Sequence, residues 1–86
     1  MIERTARFAA ELDCVGDARR FVRRVLAEFG LRDAEHVVSL LVTELATNAV
    51  LHGRTEFAVT VSADGASLRL GVSDDSKRLP ATKSHS

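Results

Sequence analysis

Apolar residues recur with a helical period through the first half of the chain and with a period of two through the second. Ala18, Phe21, Val22, Val25, Leu26 and Phe29 fall at i, i+3, i+4, i+7, i+8 and i+11, which predicts a helix near residues 17–29. Asp17, after Gly16, suits its N-cap, and Gly30 suits its stop. A second helix is predicted near residues 34–52, with Asp33 as its cap. At about 100° per residue, Val37, Val38, Leu40, Leu41, Val42, Leu45, Ala49 and Leu51 share one broad arc. His36, Ser39, Thr43 and Thr47 collect opposite, as a solvent face. Phe8, Ala10 and Leu12 alternate with Arg7, Ala9 and Glu11, which reads as a short strand. Phe57, Val59 and Val61 alternate through residues 57–63, and Leu68, Leu70 and Val72 through 67–74. Asp64-Gly65 between them is a turn signal, so these two strands should form an antiparallel hairpin. Two helices on one face of an antiparallel sheet make an α+β two-layer sandwich.

One stripe interrupts the second helix. Glu44, Asn48 and His52 stand at i, i+4 and i+8, within the apolar arc and away from the polar side. Successive members lie about 6 Å apart along the axis. A carboxylate and an amide directed inward are costly unless something satisfies them, so a ligand, a metal or a hydrogen-bond network is implied. The plainer alternative is a set of polar residues at the rim of the core, bonded to nearby backbone. The hairpin carries a related feature. Asp74 shares the parity of Leu68, Leu70 and Val72, and so faces the helix layer at the end of its strand, while Asp75 points away. Such an acid can grip a hydrogen-bond donor on a ligand, or simply end the strand in a turn.

Composition narrows the function classes. Eighty-six residues make one small domain, and 45% hydrophobic with 28% charged residues is ordinary for a globular chain. A formal net charge of zero argues against a general nucleic-acid binder. Cys14 is the single cysteine, so no internal disulfide and no multi-cysteine metal site can form. No apolar run reaches transmembrane length, and Met1-Ile2-Glu3-Arg4-Thr5 lacks the start of a signal peptide. A cytoplasmic protein without a membrane partner is the expectation.

The helix motif E-x-x-x-N-x-x-x-H, here Glu44, Asn48 and His52, followed by a hairpin ending Val72-Ser73-Asp74-Asp75, resembles the N-box and the start of the G1 box of the histidine-kinase/Hsp90/gyrase-like ATPase superfamily. The stretch TELATNAVLHG is most similar to its anti-sigma-factor serine/threonine kinase branch. The resemblance runs from about Arg7 to Pro80 and implies a truncated Bergerat-type ATP-binding fold over residues 1–75. It implies ATP and Mg²⁺ as cofactors, with Asn48 as the metal ligand, since Mg²⁺ favours oxygen donors and nucleotide phosphates. Glu44 would be the general base, Asp74 would accept a hydrogen bond from the adenine amino group, and His52 would shape the pocket. The chemistry implied is transfer of the γ-phosphoryl group to a partner's serine, by positioning and electrostatics. The partner would be a sigma factor or an anti-sigma antagonist, and a homodimer is compatible with this reading.

The chain also departs from that pattern. Where the G1 box reads D-x-G-x-G, this chain has Asp74-Asp75-Ser76-Lys77-Arg78, so Ser76 and Arg78 replace glycines that let backbone approach a nucleotide. No later glycine-rich box follows before Ser86. The 86-residue chain alone is therefore expected to be inactive as a kinase. A degenerate scaffold that binds a regulatory protein without turning over ATP is the alternative. From Ser76 the composition turns to Lys, Arg, Pro, Ser, Thr and His, which reads as an unpacked tail over 76–86. Arg19, Arg20, Arg23 and Arg24 form a basic strip that reads as a solvated face paired with nearby acids. His36, Cys14 and His85 are too isolated to suggest a site.

Overall fold

The computed structural model describes residues 1–65, 67–74 and the backbone of 81–85. Strand β1 (Ile2–Phe8) leads into helix α1 (Asp13–Phe29), a 3-10 turn (Arg32–Ala34) and helix α2 (Glu35–Asn48). A single π-helical turn (Ala49–Gly53) extends α2 before strands β2 (Phe57–Asp64), β3 (Ser67–Asp74) and β4 (Ala81–His85). The four strands form one antiparallel sheet in the order β1-β2-β3-β4. Both helices lie on one face of it, so the α+β two-layer sandwich is the observed fold.

Alternation builds the core. Phe57, Val59 and Val61 on β2 and Leu68, Leu70 and Val72 on β3 are buried beneath Val22, Leu26, Val38 and Val42 of the helices. Gly65, at φ 61°, begins the expected turn between β2 and β3, in a conformation that costs glycine nothing. Gly30 ends α1 at φ 73°, with Leu31 donating to the carbonyl of Leu26 (2.8 Å). A Cβ on Gly30 would meet no atom within 4 Å. Gly30→Ala should therefore cost about 1 kcal/mol from backbone strain alone, read as a lower urea midpoint with unchanged slope.

Four expectations are corrected. The first strand is Ile2–Phe8 and not residues 7–12, because Arg4 occupies a helix-facing position and hides the alternation. Arg4 reaches over the ring of Phe29 (5.9 Å) to pair with Glu28 (2.7 Å), keeping its charge at the surface while its stem covers apolar atoms. Residues 9–12 instead turn the chain, and Leu12 is exposed. α1 begins at Asp13, so Asp17 is not its N-cap but lies one turn in, paired with Arg20. Asp33 sits in the 3-10 turn, and α2 starts at Glu35 with no side-chain cap.

The fourth concerns the tail. Residues 81–85 form β4, in register with β3 from Leu68↔His85 to Val72↔Ala81. Main-chain hydrogen bonding to the free edge of β3 asks for no hydrophobic pattern, which is why composition reads this segment as unpacked. The rest of that expectation, residues 76–80 and Ser86, lies outside the described residues.

Candidate functional site

α2 presents three faces to its surroundings. Val38, Val42, Leu45, Ala46 and Ala49 are buried against α1 and the sheet. His36, Ser39, Thr43 and Thr47 follow on the polar side, where the Thr43 hydroxyl donates to the Ser39 carbonyl (2.7 Å). The third face holds Glu44, Asn48 and His52, all three exposed. The expectation that they point inward is corrected here. The apolar arc is too broad for a single packed interface, and the helix buries only the half centred on Val38, Val42 and Leu45. The other half stays open: Val37, Leu40 and Leu51 are 42%, 60% and 51% exposed, and Leu41 is half-buried. The polar stripe runs down the middle of that uncovered apolar surface.

Glu44 and Asn48 are one helical turn apart, and neither side chain bonds to a described residue. Their oxygens are therefore available to a ligand without breaking a protein contact. Just beyond Asn48 the helix widens into the π turn, and the Arg54 N–H donates to the Ala49 carbonyl (3.1 Å) across five residues. Arg54 itself adopts the left-handed conformation, φ 57°, and redirects the chain toward β2. Single π turns cluster at functional sites because they displace a few side chains from the helical period. The 3.6 period carries no signal for this one, and sequence reasoning missed it.

Asp74 ends β3 opposite Phe57, the first residue of β2, and β3 packs against the π turn. The strand's end thus lies at the same end of the molecule as Asn48 and His52. Asp74 is half-buried and shares the helix-facing parity of Leu68, Leu70 and Val72, which are buried. Asp75, Ser76, Lys77 and Arg78, the segment in place of the glycines, lie outside the described residues. Elsewhere, Arg23 pairs with Glu35 in a groove of about 460 Å³ lined by Arg19, Arg23, Arg32, Asp33, Glu35, His36 and Ser39, and Arg20 pairs with Asp17 outside that lining. This groove is at the opposite end of α2 from Asn48.

A family model described as the histidine kinase-like ATPase domain matches residues 8–86. The chain belongs to that family. No curated protein matches it. Membership in an ATPase domain family makes an ATP-binding domain of this chain, and residues 8–86 take in α1, α2, the exposed stripe and Asp74. No helix among the described residues is long and apolar enough to cross a membrane.

The donor set of this ATPase domain fits a nucleotide-held Mg²⁺ better than a protein-held metal. Among the described residues no group of three His, Cys, Asp or Glu side chains could hold an ion. The exposed face offers one amide oxygen from Asn48 and one carboxylate from Glu44. Mg²⁺ accepts such sparse protein ligation when phosphate oxygens and water complete its octahedron.

Proposed function

We propose that the exposed face of α2 binds Mg·ATP, and that the domain serves a protein serine/threonine kinase of the anti-sigma type that regulates transcription through a partner protein. The pairing of Glu44 and Asn48, unpartnered among the described residues and set in an uncovered apolar strip, carries this reading. Asn48 would place an oxygen on Mg²⁺. Glu44, one turn earlier, would accept the proton of the attacking serine as its oxygen bonds to the γ-phosphorus and ADP leaves. Asp74 would accept the adenine amino hydrogen at the pocket floor, and His52 would close the helix end of the pocket. Leu40, Leu51 and Val37 would lie under the nucleotide and whatever segment covers it.

The scaffold reading rests on one observation, that Ser76 and Arg78 stand where the G1 glycines are expected. Without those glycines the backbone contacts to phosphate are weaker, so ATP should bind with modest affinity. Calorimetry with ATP and GTP in Mg²⁺ tests both readings. Adenine nucleotide should bind more tightly than guanine nucleotide. Asp74→Asn should remove most of that preference, because the amide presents a donor as well as an acceptor to the base edge. No heat and no change in melting temperature at high ATP would leave only the scaffold.

A further inference from the structure

We propose that the groove between α1 and the start of α2 is a phosphate site, which takes inorganic phosphate or a phosphate monoester separately from the nucleotide face. The chain's formal charges cancel, yet Arg19, Arg20, Arg23, Arg24 and Arg32 collect around this crossing of the helices. Charge of one sign gathered in a concave place draws anions to it. Neighbouring acids answer only part of that charge. Arg20 is paired with Asp17 and Arg23 with Glu35. Arg19 on α1 and Arg32 on the 3-10 turn line the groove from its two sides, and neither has an ion pair or hydrogen bond with a described residue. The proposal rests on these two.

A second observation lies in the same groove. Ser39 belongs to its lining, and the Ser39 Oγ is buried without a hydrogen-bond partner among the described residues. An orphaned hydroxyl is costly, and a ligand oxygen within its reach would relieve that cost. The start of α2 adds donors of another kind. Neither α2 nor the 3-10 turn before it has a side-chain cap, so their leading N–H groups meet no side-chain acceptor at this end of the helix. Such a helix end favours an anion.

The shape and chemistry of the lining choose among anions. Its donors come from two walls, Arg19 on one and Arg32, His36 and Ser39 on the other. A tetrahedral phosphate presents oxygens to both walls at once, whereas a planar carboxylate presents them in one plane. The guanidinium fork matches phosphate oxygens in pairs. A nucleotide is a poor occupant, because none of the seven lining residues is apolar and a purine would have nothing to cover. Asp33 and Glu35 in the lining would also repel the further charges of a polyphosphate. Ser39 precedes Asn48 by nine residues, about 14 Å of helix, and no residue of the nucleotide reading takes part. The two proposals therefore stand or fall separately.

Calorimetry of the full chain at low salt, with sodium phosphate and with a capped glycyl-phosphoseryl-glycine peptide, tests the site. Both should bind, and the peptide without its phosphate should not. Tighter binding of the phosphopeptide would support the site with a phosphorylated side chain as its ligand, and equal binding would support it with free phosphate. Arg19→Gln and Arg32→Gln should each weaken binding about tenfold, the loss of one charge-assisted contact. Arg69→Gln, exposed on the outer face of β3, should leave it unchanged. A second measurement needs no variant. Amide shifts of the unaltered chain titrated with phosphate should move at Arg19, Arg32, His36 and Ser39, and adding Mg·ATP should not reverse them. Four results would overturn the proposal: no binding of either probe, binding indifferent to both arginines, equal binding of a peptide with glutamate in place of phosphoserine, or displacement of the phosphate by Mg·ATP.

Discussion

Glu44→Ala is expected to slow phosphoryl transfer by about 100- to 10,000-fold, in any form of the protein that transfers phosphate, while Mg·ATP affinity stays nearly unchanged. A positioned general base contributes a rate factor of that order. The separation of rate from affinity follows from position. Glu44 lies one turn before Asn48 on the same open face, within reach of a nucleophile approaching a metal-bound γ-phosphate, and it has no part in holding the adenine. Its exposure adds a second expectation, that the variant melts within about 0.5 kcal/mol of the parent, as surface substitutions do. Asn48→Ala should behave differently, weakening ATP binding in Mg²⁺ and changing little in its absence. Single-turnover transfer and nucleotide titration on both variants check the pattern. Full transfer by Glu44→Ala would remove it as the base.

Phe57→Ala is expected to cost about 3–5 kcal/mol, close to the whole stability of a domain of this size. Phe57 is 0% exposed and stacks on Phe8 at 5.5 Å between ring centres, with Phe21 edge-on to Phe8 at 6.1 Å. These rings join β1, β2 and α1 at the end of the sheet where Asp74 lies opposite Phe57. The substitution would therefore empty the support beneath the candidate adenine contact as well as the core. Chemical denaturation should show a largely unfolded variant. Leu45→Ala, nearly as buried, should cost about 2–5 kcal/mol, whereas Leu40→Ala, exposed, should be close to neutral. Equal costs at Leu45 and Leu40 would contradict the rotation of α2 described here.

The sequence's legible parts are those where one physical requirement dominates. The α1 stripe ending in Phe29 and Gly30 is packed on one side only, so its period survives intact. The β2–β3 hairpin needs an alternating inner face and a left-handed residue at Gly65, and both are written locally. α2 was harder because its arc serves two purposes. Val38, Val42 and Leu45 answer to the core, while Val37, Leu40 and Leu51 answer to an open face, and a wheel cannot tell covered from uncovered leucine. For that reason the chemistry of Glu44, Asn48 and His52 was visible in their spacing, although the direction in which they point was not. β1 was obscured by one arginine whose stem packs while its charge escapes. β4 follows from a vacant neighbour edge, which no local pattern records.

The central claim is that nucleotide lies on the open face of α2, at the end shared with β3. Amide chemical-shift mapping of the chain titrated with Mg·ATP tests it most directly. The account predicts saturating shifts grouped at Glu44, Asn48, the Ala49–Gly53 turn and Asp74, and none in the Arg19, Arg23 and Arg32 groove. Saturating shifts confined to that arginine groove, with α2 beyond Leu40 and the end of β3 silent, would contradict it.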